Sequence, residues 1–421
     1  VADALPHAAA GHWDARARAL DAADPIAFAR ERFLVPDGLV YLDGNSLGAL
    51  THASAERVAR TVTQEWGRGL IGSWNAAGWV DLPARVADRI AGLIGAPEGS
   101  VAVADSTSVN LFKVLAAALA LRPERRVVVS QRQNFPTDLY MAEGLAQLLA
   151  QGHELRLVDE GEDPAGALCE RTAVLMLTHV DYRTGAIHDM AALTQAAHAA
   201  GALTIWDLAH SAGALELEMD RSGADFAVGC GYKFLNGGPG APAFLFVAPR
   251  HQAEARQPLS GWFGHAAPFS FEPGYRPSDG IRRFQAGTPS VIALSSLDAA
   301  LDAFEGVTMA QIREKSVALT SFFAEAVEAL VGSGLALASP REERARASQV
   351  SYRHDAAYAL AQALIERGIV GDFRAPDILR FGFAPLYNRF GEALAAARGI
   401  AAVLRDGHHL EPRFQVRNAV T

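Results

Sequence analysis

Lysine is almost missing from this chain of 421 residues. Only Lys113, Lys233 and Lys315 occur among its 38 basic residues, and the rest are arginine. That scarcity marks each lysine as a candidate for work that needs a primary amine. An amine can lose its proton and attack a carbonyl, whereas a guanidinium stays protonated. Cysteine is rarer still, at two residues, which excludes a disulfide framework and makes a reducing cytoplasm the expected compartment. Half the residues are hydrophobic, yet Gly, Pro or charge interrupts every apolar run before the ~18 residues of a membrane span, so no membrane partner is expected. The opening stretch lacks a basic segment followed by an apolar core, so no signal peptide is expected. Asp3, Asp14 and Asp21 argue against a transit peptide. No Lys/Arg block stands out against a net charge of −9, and no nucleic-acid partner is expected. The densest charged stretch, "REERARA" (341–347), is mixed in sign and reads as solvated surface.

What is present is an alternation of helix and strand signals from about residue 85 to 250. "PARVADRIAGLIGA" reads as an amphipathic helix closed by Gly95, and "SVNLFKVLAAALAL" as a helix begun by Ser106, Thr107 and Ser108. "RRVVVS", "HELRLV", "TAVLMLTHV", "ALTIWDLAH", "ADFAVGCGYKF" and "PAFLFV" read as strands, with helices at "TDLYMAEGLAQLLAQG" and "MAALTQAAHAAG". This order predicts an α/β fold with a largely parallel sheet. Ligands of such sheets sit beyond the C-terminal strand ends. Thr178, Asp207, His210, the stretch Asn134 to Asp138, and Tyr232–Lys233 should therefore converge on one crevice. Long helices dominate after about residue 295, which suggests a second, smaller α+β domain. The expected division is 1–50 as a segment packing with the small domain, 51–297 as the large domain and 298–421 as the small one.

Lys233 follows a strand and precedes the Gly-rich "NGGPGAP", where backbone can approach a ligand closely. Lys113 reads as a residue inside a helix and Lys315 as part of a charged surface helix. Asp207 closes the buried strand "LTIWD", where a carboxylate needs a partner. That partner could be the protonated ring nitrogen of pyridoxal phosphate, which requires a lysine for its aldehyde and a carboxylate for its pyridinium. Asp207 could equally cap a helix at "LAHSAGA". "DSTSVN" offers hydroxyls and free N–H groups to a phosphate, or simply caps its helix. Phe135 in "NFPTD" is a candidate stacking partner, and Asp138 a candidate hydrogen-bonding group for the cofactor. "GGPG" lacks the spacing of a nucleotide phosphate loop.

Together these residues resemble the kynureninase family, pyridoxal-phosphate enzymes of the aspartate-aminotransferase fold (fold type I). The resemblance covers nearly the whole chain. It rests on "YLDGNSLG" (41–48), "STSVNL" (106–111), "NFPTD" (134–138), "DLAHSAGA" (207–214), "GCGYKFLNGGPGAP" (229–242), "GWFGH" (261–265), "FQAGTPS" (284–290) and "LRFGFAPLYN" (379–388). It implies a large domain built on a mostly parallel, helix-flanked seven-stranded sheet. It further implies Lys233 as the lysine that condenses with the aldehyde and Asp207 as the partner of the ring nitrogen. Thr107, Ser108 and Tyr232 would bind phosphate, with Trp262 and Thr288 contributing, the latter two from either subunit of a homodimer with interfacial active sites. Phe135 would stack on the ring, while Asp138, Thr178 and His210 complete the cofactor contacts. Arg380 would grip the substrate α-carboxylate, with Asn45, Ser46 and His265 also at the substrate. The family carries Asn or Thr at the place of Thr288, and the segment around Ser73 and Trp74 matches it less closely. The implied reaction is hydrolytic Cβ–Cγ cleavage of L-kynurenine, and of its 3-hydroxy form as an open alternative. Its implied setting is tryptophan catabolism by the kynurenine pathway and NAD biosynthesis. Lys233, Tyr232 and Asp207 would be the catalytic residues, and no metal is expected. A cysteine desulfurase would need a thiol on a mobile loop. Cys230, three residues before Lys233, and Cys169, read as helical, do not suit that role. A transaminase would need a keto-acid acceptor, and a regulatory protein that merely binds the cofactor would have no use for Arg380.

Overall fold

The structure, a computed structural model, describes residues 7–417. The reading of the extreme N-terminus as free of a leader falls partly on residues 1–6, outside the described residues. The chain divides into two compact units. One comprises Ala53–Tyr182 and Ile187–Asp302, the other Val1–His52, Arg183–Ala186 and Ala303–Thr421.

The first unit is built on seven strands: β1 Val101–Val103, β2 Val127–Gln131, β3 Glu154–Val158, β4 Thr172–Thr178, β5 Leu203–Asp207, β6 Phe226–Gly229 and β7 Phe244–Val247. Their spatial order is β1-β7-β6-β5-β4-β2-β3. β2, β3, β4, β5 and β6 pair in parallel, and β7 runs antiparallel to both of its neighbours. β4 is buried at all seven positions, as a strand covered on both faces must be, which explains its uninterrupted apolar reading. Four helices flank the strand sequence: α1 Leu82–Leu93, α2 Thr107–Ala120, α3 Pro136–Leu149 and α4 Met190–Ala199. Ser106 caps α2 by accepting from the Val109 N–H at 3.3 Å, and Pro136 opens α3, where a missing N–H costs nothing. Leu111, Val114, Leu115 and Ala118 of α2 pack into one core with Val128, Val174, Ile205 and Phe226 of the sheet.

The second unit has its own core, in which Leu319, Phe322, Phe323 and Val327 of helix Met309–Val331 meet Phe381, Phe383, Phe390, Ala397 and Ile400. A four-stranded antiparallel sheet places strand Asp372–Arg374 against Ile378–Gly382, which pairs with Gln349–Arg353. The helix Met309–Val331, with the 3-10 turn Gly332–Gly334 that follows it, has the length and apolar composition of a membrane span, but it carries Arg313, Glu314, Lys315, Glu325 and Glu328, and its apolar face lies in this core.

Three readings need correction. Lys315 does not lie on a charged surface: it is buried and pairs at 2.7 Å with Asp24, whose side chain is 3% exposed. It shares a helix face with Ile312 and Leu319, three and four positions away, so that face carries it inward. In "REERARA", Arg341 to Arg344 are exposed, but Arg346 is buried, donating to the Pro340 carbonyl at 2.8 Å and Ser321 at 3.1 Å. Cys169 is not helical. Pro164 and Gly166 limit its surroundings to the short 3-10 turn Pro164–Ala167, and Cys169 follows that turn with its N–H on Thr172 Oγ1 at 3.0 Å.

Candidate active site

The C-terminal ends of β1, β2, β4, β5 and β6 open onto one cavity of about 570 Å³ in the first unit. Sheet register explains the convergence. Thr178 and Asp207 are paired neighbours at the ends of β4 and β5, and Asp207 pairs in turn with Val228 of β6. Thr107, Ser108, Phe135, Asp138, Thr178, Asp207, His210, Tyr232, Lys233 and Thr288 all line the cavity. Asn134 does not. Its amide is spent on Ser130 Oγ (3.0 Å) and the Phe135 N–H (2.7 Å), which braces the turn that presents Phe135.

The loop after β6 positions Lys233. Gly238 (φ +86°) and Gly240 (φ +74°) adopt left-handed backbone that favours glycine. A Cβ at Gly237 would come within 2.8 Å of Ala241, Leu297 and the Gly231 carbonyl. Much of the Gly-rich signal is therefore tight packing behind Lys233, while Pro239 and Gly240 reach the cavity itself. The Lys233 ammonium lies 5.9 Å from the ring centres of both Phe135 and Tyr232.

Two buried carboxyls face this amine. Burial pushes the pKa of Asp138 well up and the charge of Asp207 adds to the rise. Burial also raises Asp207, but Lys233 and the Ala209 N–H, which donates to Asp207 Oδ1 at 2.7 Å, oppose the shift. The pair hydrogen-bonds, and like charges this close cannot both ionise freely, so a proton on the pair favours Asp138 over Asp207. Residues 209–214 form turns, so Asp207 caps no helix, although it does hold the Ala209 N–H. Asp138 Oδ2 is buried without a hydrogen-bond partner, which leaves it available to a bound group. Pyridoxal phosphate fits this donor set. The set supplies a primary amine, a buried carboxylate pair, an aromatic face at Phe135, and a helix start with hydroxyls at Ser106, Thr107 and Ser108. Burial raises the pKa of the Cys230 thiol, which weakens it as a nucleophile.

Trp262 and His265 lie elsewhere in the unit and do not line the cavity. Trp262 packs against Phe263, Phe269 and Phe271, the last two largely exposed. The ring nitrogens of His265 meet the Gly274 carbonyl (3.1 Å) and the Ala267 N–H (2.9 Å).

Arg380, Asn45 and Ser46 come together in the second unit. Arg380 is 1% exposed and grips Asp372 with two hydrogen bonds, Nε to Oδ1 at 2.8 Å and Nη2 to Oδ2. Ser46 Oγ accepts from Arg380 at 2.9 Å and donates to Asp372 at 2.8 Å. The Asn45 amide lies 3.2 Å from Asp43 and 3.1 Å from Arg380 Nε. Arg374 completes an ion pair with Asp372 at 2.6 Å. Burial, helped by Asp372, pushes Asp43 up to about 7, while Arg380 and Arg374 hold Asp372 below its usual range. Sequence reasoning missed Asp372, although a signal was there. In "DFRAPDILR" the turn residues predict a hairpin, and its register sets Asp372 opposite Arg380. It also missed Tyr182, which lines the cavity and meets Phe135 edge to face at 5.4 Å between ring centres.

Residues 312–400 match the family model described as the kynureninase C-terminal domain. A kynureninase of Pseudomonas fluorescens is 52% identical over 408 residues, covering 96% of this chain and 98% of that relative. A kynureninase of Burkholderia pseudomallei (strain 1106a) is 51% identical over 410 residues, covering 96% and 99%. Among solved structures, a cysteine desulfurase from Thermococcus onnurineus NA1 superposes with a TM-score of 0.77 at 20% identity, covering 90% of this chain and 98% of that one. A C-DES protein with glycine covalently linked to its PLP cofactor gives 0.78 at 17% identity, covering 88% and 98%. At such identities these structures share the fold alone.

Proposed function

The chain belongs to the kynureninase family, and from that premise we propose the part each of its residues plays in the reaction. The protein is a pyridoxal-phosphate-dependent hydrolase that cleaves L-kynurenine to anthranilate and L-alanine. When bound, pyridoxal phosphate supplies an aldehyde that captures amines and a ring that takes up electrons released at the substrate Cα.

Lys233 is the amine for that aldehyde and, once displaced by the substrate amine, the base that moves the Cα proton. Asp207, kept charged beside Asp138, holds the proton on the ring nitrogen. Thr107 and Ser108 at the start of α2 bind the phosphate with the help of free helix N–H groups. Phe135 covers a ring face, while Thr178 and His210 complete the wall. Tyr232, one position before Lys233, either shuttles protons during water addition at the γ-carbonyl or serves the phosphate alone. Arg380, oriented by Asp372, Ser46 and Asn45, takes the substrate α-carboxylate, a geometry suited to a guanidinium fork. Trp262, with the exposed Phe269 and Phe271 beside it, forms the face that meets a second copy of the chain. That pairing would bring Trp262 and His265 to the partner's site in a homodimer. The two free cysteines suit a cytoplasmic enzyme, and tryptophan catabolism and NAD biosynthesis are its proposed settings.

The observation that carries this assignment is the meeting of Lys233, Asp207 and Asp138 in one cavity with the hydroxyl-bearing start of α2. The test follows anthranilate fluorescence from L-kynurenine with and without added pyridoxal phosphate. A cofactor-dependent rise that Lys233→Arg abolishes is expected. Unchanged turnover in Lys233→Arg would overturn the role of Lys233.

A further inference from the structure

The amine chemistry uses one lysine of three, and a second, Lys113, is tied to the rim of the same cavity. It lies on α2, fully buried, with its ammonium donating to the Asp105 carboxylate and to the Phe284 carbonyl at 2.8 Å. Asp105 immediately precedes the helix start. Its backbone is left-handed (φ +49°), and its carbonyl accepts from the Ala243 N–H at 2.9 Å. Asp105 to Ser108 form one part of the cavity wall and Gln285 to Ser290 another. The Gln285 side chain donates to the Val103 carbonyl at 3.1 Å, a second tie that joins this far segment to the end of β1, two residues before Asp105. One buried ammonium thus joins the α2 start to the segment that carries Thr288.

The position of Asp105 needs an explanation. A helix start with free N–H groups and hydroxyls attracts anions, yet this one has a carboxylate beside it on the cavity wall. An uncompensated charge there would repel a phosphate dianion at short range. Lys113 neutralises it. Burial lowers the pKa of the ammonium and Asp105 raises it again. A lysine suits the place better than the arginine this chain uses elsewhere. The acceptors are one carboxylate and one carbonyl, and a guanidinium would bring five donors to a fully buried site.

We propose that Lys113 is a positioning residue for the cofactor phosphate: it cancels the charge of Asp105 and ties residues 105–108 to residues 284–288, so that this end of the cavity accepts a dianion. The proposal rests on the reading of Thr107 and Ser108 as phosphate ligands. Its chemical signature is selectivity. Lys113 matters for pyridoxal phosphate and not for pyridoxal, which has the same ring and aldehyde but no phosphate.

The test strips the cofactor from purified enzyme and titrates pyridoxal phosphate and pyridoxal back, reading the visible absorption band that forms at the lysine. Lys113→Gln is expected to weaken pyridoxal phosphate by roughly tenfold or more and pyridoxal by less than about twofold. Asp105→Asn, which tolerates left-handed backbone, is expected to bind pyridoxal phosphate as well as the parent or better, and to restore most of the affinity lost in Lys113→Gln. Equal losses for both ligands would overturn the proposal, because they would mean general structural damage. A folded Lys113→Gln protein with unchanged affinity would overturn it too, as would a tenfold loss in Asp105→Asn. If Lys113→Gln does not fold, the Asp105→Asn titration decides alone, retained affinity supporting the proposal and lost affinity refuting it. A Thr107→Ala, Ser108→Ala protein separates the two layers. If it leaves the preference for the phosphorylated ligand intact, the phosphate-site reading falls. If it abolishes that preference while Lys113→Gln does not, the role of Lys113 alone falls.

Discussion

Replacing Asp372 with Asn probes how the second unit holds its buried arginine. Asp372 and Arg380 are each 1% exposed, and Arg374 shares the same carboxylate. Removing one member of a buried pair typically costs about 3–5 kcal/mol, because the other charge is left uncompensated. Here a reserve exists. Asp43 is pushed up to about 7 by burial and by the charge of Asp372. Without that charge its pKa falls, so at neutral pH it ionises and offsets part of the loss. Asp372→Asn alone should therefore cost about 2–3 kcal/mol at pH 7, and Asp43→Asn, Asp372→Asn together about 3–5 kcal/mol. The sign for Asp43→Asn alone follows from linkage. A carboxyl raised above its unfolded value favours the folded state at low pH. That contribution fades as pH climbs from about 4 through 7. At pH 8 wild-type Asp43 is a buried charge, so Asp43→Asn should be at least as stable as the parent there and relatively less stable at pH 5. Denaturant unfolding of the four proteins at both pH values measures the cycle. Strict additivity of the two substitutions, or a loss below about 0.5 kcal/mol for the double variant, would refute the reasoning.

Three further outcomes are expected. Asp207→Asn should retain the cofactor but lower kcat for anthranilate release by about 100-fold or more, because the ring nitrogen loses its charged partner. Activity within a few-fold of the parent would count against that role. Gly237→Ala should destabilise the first unit by about 1–3 kcal/mol through overpacking, since its Cβ would press on Ala241 and Leu297. An unchanged melting temperature would contradict the packing account. Lys315→Met should cost about 3–5 kcal/mol by stranding the buried side chain of Asp24. Lys315→Met with Asp24→Leu should recover most of that loss in the same unfolding measurement.

Much of the first unit was legible because its strands are apolar runs closed by Gly, Pro or polar residues, and because parallel strands covered on both faces keep that signature. Strand-end logic then gathers Thr178, Asp207, Phe135, Asp138 and Lys233 from the sequence alone. The misreadings share a cause. Sequence shows that Lys315 and Arg346 are charged, but not which way a helix face or loop turns them. Lys315 finds its partner, Asp24, nearly 300 positions away along the chain. Cys169 reads as helical, yet the short turn Pro164–Ala167 opens at Pro164 and closes before it. The charge balance around Arg380 is set by hairpin register and by the segment Asp43–Ser46, more than 300 residues away. The division of labour among the lysines was visible only in part. Lys233 stood out by its strand end and glycines, while Lys113 looked like helix filler until its ammonium was seen on Asp105.

The scarcity of lysine makes the central claim simple to test. Borohydride reduction of the cofactor-loaded enzyme fixes the cofactor to whichever amine holds it, and peptide mass spectrometry then finds the tagged residue among Lys113, Lys233 and Lys315. The tag is expected on Lys233 alone, at close to one per chain. A tag on Lys113 or Lys315, or none on a protein that still releases anthranilate, would contradict the account.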